Sequence, residues 1–427
     1  MADVLNFKCP SCGAPLIFKG GTQKMTCEYC MTEFTMEQAQ AAQAAEEADA
    51  ASSDMVWTQP EQELIQDENG QVTGFHCPSC GAEIVADETT AATECPYCGN
   101  QAIVPQAFEG TYKPDCMIPF KLDKEKASGA LEKFYEGKKL LPDAFKENNR
   151  IKNVQGVYVP FWLMSCKAEG AMTFNGVRAK TWSDANNTYI KKDHYLINRV
   201  GVMDFSRIPV DASKQMDDAL MDGLEPYNYG DFVPYDKAYF SGYLADRYDV
   251  SAEEAQPRAN TRIENTVVNK IRSSVTGFTE VSERSKRINT SDDKTEYAML
   301  PVWMLSTKYE DKVYTFAMNG QTGKMVGTLP VDSGKYWKYF ALGTLIPLII
   351  CLVVLYLLQK MTTMPIVIAA VVCLLIGFIY VSALKSAMNT AVIQTQADKY
   401  LEDLDFKVRN DVFMYSHTDV RPKPKRE

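Results

Sequence analysis

Eight cysteines arranged as four Cys-x-x-Cys pairs constrain this chain more than any other feature. Cys9-Pro-Ser-Cys12 is followed after fourteen residues by Cys27-Glu-Tyr-Cys30, and Cys77-Pro-Ser-Cys80, again after fourteen, by Cys95-Pro-Tyr-Cys98. Shifting the first block by 68 positions superposes 11 identical residues in 24, Tyr29 on Tyr97 among them, so the block is an internal repeat. A Cys-x-x-Cys turn points two thiolates at one ion, and two such turns complete a closed tetrahedral site with bonds of about 2.3 Å. Gly13, Gly81 and Gly99 follow three of the turns, where positive φ is needed, and Met31 stands at the fourth. The spacing predicts two small β zinc ribbons, each built on one structural Zn2+. Cys9, Cys12, Cys27 and Cys30 would ligate one ion, and Cys77, Cys80, Cys95 and Cys98 the other. A thioredoxin-type pair needs one Cys-x-x-Cys ahead of a helix, and a catalytic zinc leaves a position open for water. Neither fits four thiolates at duplicated spacing.

Two further runs fix where the chain resides. Residues 340–358 and 365–384 are uncharged, and across 340–384 Lys360 is the single charged side chain. At about 1.5 Å per residue each run spans a bilayer core as a helix, with a tight loop between them. Residues 335–385 therefore read as a transmembrane hairpin, with Tyr336, Trp337 and Tyr339 as interfacial anchors. Lys335, Lys338, Lys385 and Lys399 flank the hairpin against one lysine in its loop, which places both termini in the cytoplasm of a cell membrane. The opening MADVLNFKCPSC shows no basic-then-apolar leader.

The fold class expected is thus multidomain: two β zinc ribbons, an α+β soluble domain and an α-helical two-span hairpin. The boundaries are ribbon 1 at 1–35, an acidic Ala/Gln/Glu-rich linker at 36–73, ribbon 2 at 74–112 and the α+β domain at 113–334. The linker reads as a solvated helix or flexible spacer that lets the ribbons move independently. After the hairpin, 386–427 reads as an amphipathic helix (386–404) and a basic tail whose Arg421, Lys423, Lys425 and Arg426 can touch anionic lipid. In the α+β domain, Asp123 and Ser251 read as helix N-caps. Pro160, Trp162 and Ser165 recur at Pro301, Trp303 and Ser306, which suggests two related halves.

Chemistry is hard to find in the soluble domain. There is no phosphate-cradling Gly-x-x-x-x-Gly-Lys motif, and His76, His194 and His417 are not spaced with an acid or nucleophile. Cys116 and Cys166 read as small buried side chains. The expectation is a protein that is not an enzyme. Direct nucleic-acid binding is also disfavoured, because residues 25–112 carry 16 Asp or Glu and no Lys or Arg. Phosphate backbones are held by basic surfaces.

The ordered motifs CPSCG/CEYC, CPSCG/CPYCG, IPFK (118–121), VYVPFW (157–162), LPVWML (300–305), NGQTGK (319–324) and the hairpin resemble a bacterial family of zinc-ribbon membrane proteins. Such chains are often labelled transcription-factor-IIB-type zinc-ribbon proteins or replication-factor-Y-like helicases; no motor motif is present here. The resemblance implies a membrane receptor that recruits a soluble cytoplasmic protein, of flotillin-like (SPFH-domain) or phage-shock-protein-A-like type. The expected function is a membrane-anchored adaptor whose ribbons capture that partner. A membrane-tethered nucleic-acid-binding or transcription-related protein is the alternative.

Overall fold

Residues rich in Val, Ile, Tyr, Phe and Met alternate with small or polar ones through the middle of the chain, and they form strands far longer than the usual five or six residues. The computed structural model describes residues 7–49, 53–61, 63, 72–85, 95–98, 100, 104–108, 112–143, 154–309, 312–359 and 362–423. Gly99, Lys360, Lys425 and Arg426, singled out above, lie outside the described residues. Ribbon 1 holds β1 (Leu16–Lys19), β2 (Lys24–Cys27) and β3 (Glu33–Phe34), and helix α1 (Met36–Asp49) follows. Ribbon 2 holds β4 (Val72–His76), β5 (Glu83–Val85) and β6 (Val104–Phe108). The platform begins with β7 (Cys116–Met117), α2 (Lys124–Tyr135), β8 (Gln155–Ser183), β9 (Asn187–Asp211) and α3 (Asp218–Leu224). It continues with β10 (Val233–Pro234), β11 (Leu244–Asp246), α4 (Ala252–Ser273), β12 (Glu280–Tyr309), β13 (Lys312–Asn319) and β14 (Met325–Gly327). Then come α5 (Ser333–Leu357), α6 (Thr363–Ser386) and β15 (Leu401–Pro422). Ribbon 1 is a separate sheet, whereas ribbon 2 and the platform share one large mixed sheet.

The platform is two-fold in plan. β8 and β12 pair antiparallel, from Gln155 beside Met304 to Val177 beside Glu280. β7 runs parallel to β12, and β11 runs parallel to β8. Since β7 leads through α2 to β8, and β11 through α4 to β12, each half lends its short strand to the long strand of the other. Trp303 Nε1 donates to Leu122 O at 3.0 Å, and Trp162 Nε1 donates to Val250 O at 2.9 Å. Leu122 and Val250 each precede an N-cap: Asp123 accepts from the Lys126 amide to start α2, and Ser251 accepts from the Glu254 amide in a capping box that starts α4. The Pro-x-Trp echo is therefore a structural repeat, in which each tryptophan fastens the helix start of the other half.

β8, β9, β12 and β15 extend from the platform as an antiparallel arm. With 29 residues, β8 has a contour of about 95 Å. α4 lies on one face of the arm, where Ala259, Ile263, Val267 and Ile271 are buried with Met172, Phe174 and Ile197. A Cβ on Gly170 would stand 2.4 Å from Val267 Cγ1, so this glycine lets the helix approach the sheet. Ribbon 1 and α1 take the other face: Leu196, next to Ile197 and so pointing oppositely, is buried with Ala39, Ala42, Val412 and Met414.

Two expectations are corrected here. The linker forms the expected helix as α1, but the independent movement of the ribbons is corrected, because α1 and residues 54–58 are fastened to the arm and platform. Thr35 and Gln38 form a reciprocal capping pair that starts α1, and Gln38 Nε2 donates to Phe413 O on the arm. Asp54 pairs with Asn289 at the edge of β12, and buried Trp57 donates Nε1 to Asn260 Oδ1 at 2.7 Å. Alanine supplies the buried contacts of α1, so its sequence shows no apolar stripe. The second correction concerns 386–404, which is not an amphipathic helix. α6 ends at Ser386, an irregular segment crosses the platform, and Leu401 opens the long strand β15 along β9. Polar side chains take over the backbone of that crossing. Gln394 N donates to Asp222 Oδ2, and Ala397 N donates to Thr266 Oγ1. Arg421 and Lys423 consequently lie at the far end of the arm, beside Thr188 and Asn186, and not at the foot of the hairpin.

The hairpin itself is present as two helices long and apolar enough to cross a membrane. They pack closely at Gly377, where an added Cβ would stand 2.0 Å from Thr344 Oγ1. Pro365 falls in the first turn of α6, where its missing N–H costs nothing.

Candidate metal centres

The turns around the cysteines repeat one backbone pattern. Gly13 N donates to Cys9 O, Met31 N to Cys27 O and Gly81 N to Cys77 O, at 2.8, 2.9 and 2.8 Å. The donor residue is at positive φ in each: +80° for Gly13 and Gly81, and 59° for Met31. These turns gather Cys9, Cys12, Cys27 and Cys30 into one group and Cys77, Cys80, Cys95 and Cys98 into another, with the sulfurs of each within 4.8 Å of one another. Cys9 and Cys30 Sγ are 3.6 Å apart, Cys12 and Cys27 3.5 Å, Cys77 and Cys98 3.7 Å, and Cys80 and Cys95 3.6 Å. Bonds of 2.3 Å to a tetrahedral centre put sulfurs about 3.8 Å apart, so both groups are the right size to hold a soft four-coordinate ion. All eight predicted ligands are brought together as their spacing implied.

Local electrostatics divides the thiols. The Thr32 hydroxyl, 3.2 Å from Cys30 Sγ, and the Thr32 amide pull the Cys30 thiol down to about 6. At Cys77 burial acts upward, but the Cys80 and Ser79 amides together with the Cys80 and Cys98 thiols outweigh it and bring the thiol to about 7. Burial instead pushes Cys9 up to about 12, and Cys95 higher still. Each group thus offers one thiolate near neutral pH, and a bound cation would supply the charge that lets the buried thiols ionise.

The two ribbons differ in what surrounds them. Ribbon 2 is built into the platform: Val85 and Ile84 pair with Ala245 and Asp246, and the Ser306 hydroxyl lies 2.8 Å from both Pro96 O and Tyr97 O. Tyr97 is 7% exposed, with its hydroxyl towards the buried Asp246 carboxyl. Tyr29, its counterpart in the repeat, is 84% exposed. Met31, Phe18 and Ile17 are exposed on the same small ribbon. Asp246 carried no motif in the sequence, and Ser306 was marked only as part of the Pro-x-Trp repeat, with nothing to link either residue to ribbon 2. Their signal is a register, visible once β11 and β12 are placed.

A second polar cluster also escaped the sequence reading. Arg262 makes a bidentate pair with Glu225, at 2.9 and 2.7 Å, and Tyr400 Oη donates to Glu225 Oε2 at 2.8 Å. Beside it Arg258 meets Asp211, Asp218 and Asp222 at 2.8, 2.9 and 3.0 Å. Glu225 and Arg262 are sealed from solvent, and the cluster ties the chain that follows the hairpin to α4. Its geometry is that of a fastening. Of the histidines, His194 stacks on Tyr415 with centroids 4.4 Å apart, and His417 meets Asp419 at 2.8 Å on the arm. His76 sits in β4 opposite Glu83. Among the described residues none joins a cysteine group.

No protein-family model and no solved structure matches the chain. It is similar to "Uncharacterized protein YdjG" of Bacillus subtilis (strain 168), with 34% identity over 338 residues that cover 79% of this chain and 94% of the relative. At that identity over nearly the whole of the relative, the chain belongs to the same family as YdjG.

Proposed function

We propose that this protein is a non-catalytic adaptor anchored in the cell membrane by its hairpin, with both termini in the cytoplasm, and that ribbon 1 recruits a soluble protein partner. Each ribbon holds one structural Zn2+, which the four-thiolate donor set and its spacing favour. The observation that carries the reading is the contrast between the two copies of one knuckle. In ribbon 2 the face bearing Tyr97 is buried against a sheet. In ribbon 1 the same face bears Tyr29 in solvent, beside Met31 held at a φ of 59° that glycine would adopt more cheaply. A strained, exposed apolar residue where the sister turns carry glycine is well explained by a docking surface. Recruitment therefore rests on ribbon 1 fixed to the arm, rather than on two free ribbons. A flotillin-like or phage-shock-protein-A-like protein is the partner class that the family resemblance suggests.

The test is affinity isolation of the tagged full chain from gently solubilised membranes, beside Tyr29→Ala/Met31→Gly. A stoichiometric soluble protein retained by the unmodified chain and lost with the variant supports the adaptor. Recovery of the chain alone, or of nuclease-sensitive material, overturns it, and the second of these outcomes favours the nucleic-acid alternative.

A further inference from the structure

We propose that the collar where the hairpin meets the soluble body is a binding surface for anionic phospholipid headgroups. The turn at 137–141 belongs to the platform yet folds against the hairpin. Leu140 and Leu141 are buried in one cluster with Met388, and Tyr336, Tyr339 and Leu384 pack on it. This contact brings Lys138 and Lys139 to the ends of α5 and α6, across some two hundred residues of sequence. Lys138 Nζ donates to Ala387 O at the C-terminus of α6, where unpaired carbonyls favour a cation. Lys139 Nζ lies 5.8 Å from the Tyr339 ring centroid, 6.0 Å from that of Tyr380 and 3.4 Å from Tyr380 Oη. Lys338 near the start of α5 and Lys385 in the last turn of α6 are exposed at the same end of the hairpin.

Neighbouring Lys335 is neutralised by Asp143 at 2.7 Å. Among the described residues, Lys138, Lys139, Lys338 and Lys385 have no carboxylate within ion-pair distance. Trp337, 64% exposed between them, and Tyr336 suit the headgroup layer. The chain as a whole carries a formal charge of −10. An anionic leaflet repels such a body, so a cationic collar at its foot selects the lipids that surround it. The basic residues of the C-terminal tail are excluded from this role, since Arg421 and Lys423 lie at the far end of the arm.

The test reconstitutes the full chain in nanodiscs of phosphatidylcholine with or without phosphatidylglycerol and measures, by native mass spectrometry, the lipid retained on gentle extraction. Lys139→Gln/Lys338→Gln/Lys385→Gln is compared with arginine at the same three positions and with Arg421→Gln/Lys423→Gln at the arm tip. Lys138 is left intact because it caps α6. The unmodified chain, the arginine triple and the tip variant should all prefer phosphatidylglycerol. The glutamine triple should lose about fivefold of that preference per lysine, on the order of a hundredfold in total. If the triple unfolds earlier in phosphatidylcholine discs, Lys139→Gln alone carries the test with an expected loss of about fivefold. A glutamine triple that keeps the preference, an arginine triple that loses it, or a tip variant that loses as much overturns the proposal.

Discussion

Asp246 offers a measurement in which sign and size both follow from the fold. Its carboxyl is buried on β11 under ribbon 2, and burial pushes it up to about 7, with the Ser213 and Tyr97 hydroxyls only partly offsetting. An aspartate in the unfolded chain titrates near 3.9. The folded pKa is the higher one, so the associated stability is whole below about pH 4 and is lost as pH rises through about 7. Three pKa units correspond to about 4 kcal/mol in full, of which about 2 kcal/mol falls between pH 5.5 and 7.5. Asp246→Asn cannot ionise and should flatten the profile by that amount. Asp211, which burial also raises to about 7 beside Arg258, has the same sign but is present in both proteins and cancels in their difference. The cysteine groups bias the profile oppositely, because metal binding weakens as pH falls, and they cancel as well. The assay is urea unfolding in detergent at pH 5.5, 6.5 and 7.5, followed by tryptophan fluorescence. Parallel profiles for the two proteins, or a variant less stable at pH 7.5, would refute the assignment of an uncompensated carboxyl under ribbon 2.

Other expectations follow from the same contacts. Gly170→Val should destabilise the platform by about 1–3 kcal/mol, because its side chain enters space held by Val267 and Ile271; thermal unfolding measures this. Arg262→Met leaves Glu225 buried beside Tyr400 alone and should cost about 3–5 kcal/mol, with hydrogen exchange accelerating in 394–404 before it does in ribbon 2. Chelator treatment should release metal in two phases, ribbon 1 first, since Cys12 is exposed while Cys77 and Cys95 are sealed in the platform core. Cys12→Ser should abolish the fast phase and Cys95→Ser the slow one, read with a colorimetric zinc indicator. Gly377→Val should separate α5 from α6 at Thr344, which disulfide trapping of cysteine pairs across the hairpin would report as lost cross-linking.

Legibility followed the range of the interactions. The cysteine groups were readable because four ligands at fixed spacing leave little freedom for any other arrangement, and the hairpin because uncharged runs of this length have few places to go. The N-caps at Asp123 and Ser251 are local and were readable too. The tail misled for a stateable reason. Tyr400, Leu401 and Leu404 can be fitted to a helical face, but Leu404, Phe406 and Val408 alternate, and β9 supplies the partner for a strand. Period two and period 3.6 cannot be told apart over so few residues without knowing the neighbour.

By itself the sequence determined the parts: two four-cysteine groups, two apolar spans, and a Pro-x-Trp repeat that marks two halves. Only the tertiary structure decided how the parts are used. It buried the knuckle tyrosine of one ribbon in the platform and left that of its sister in solvent on the arm, although both ribbons carry the same knuckle. It also brought Lys139 to the ends of the two apolar helices and carried the basic tail away from them. Spacing along the chain governs which thiolates can share an ion, because that geometry closes within a few turns of backbone. Burial is different, for it depends on which surface a strand register places opposite, and no short stretch of chain encodes that.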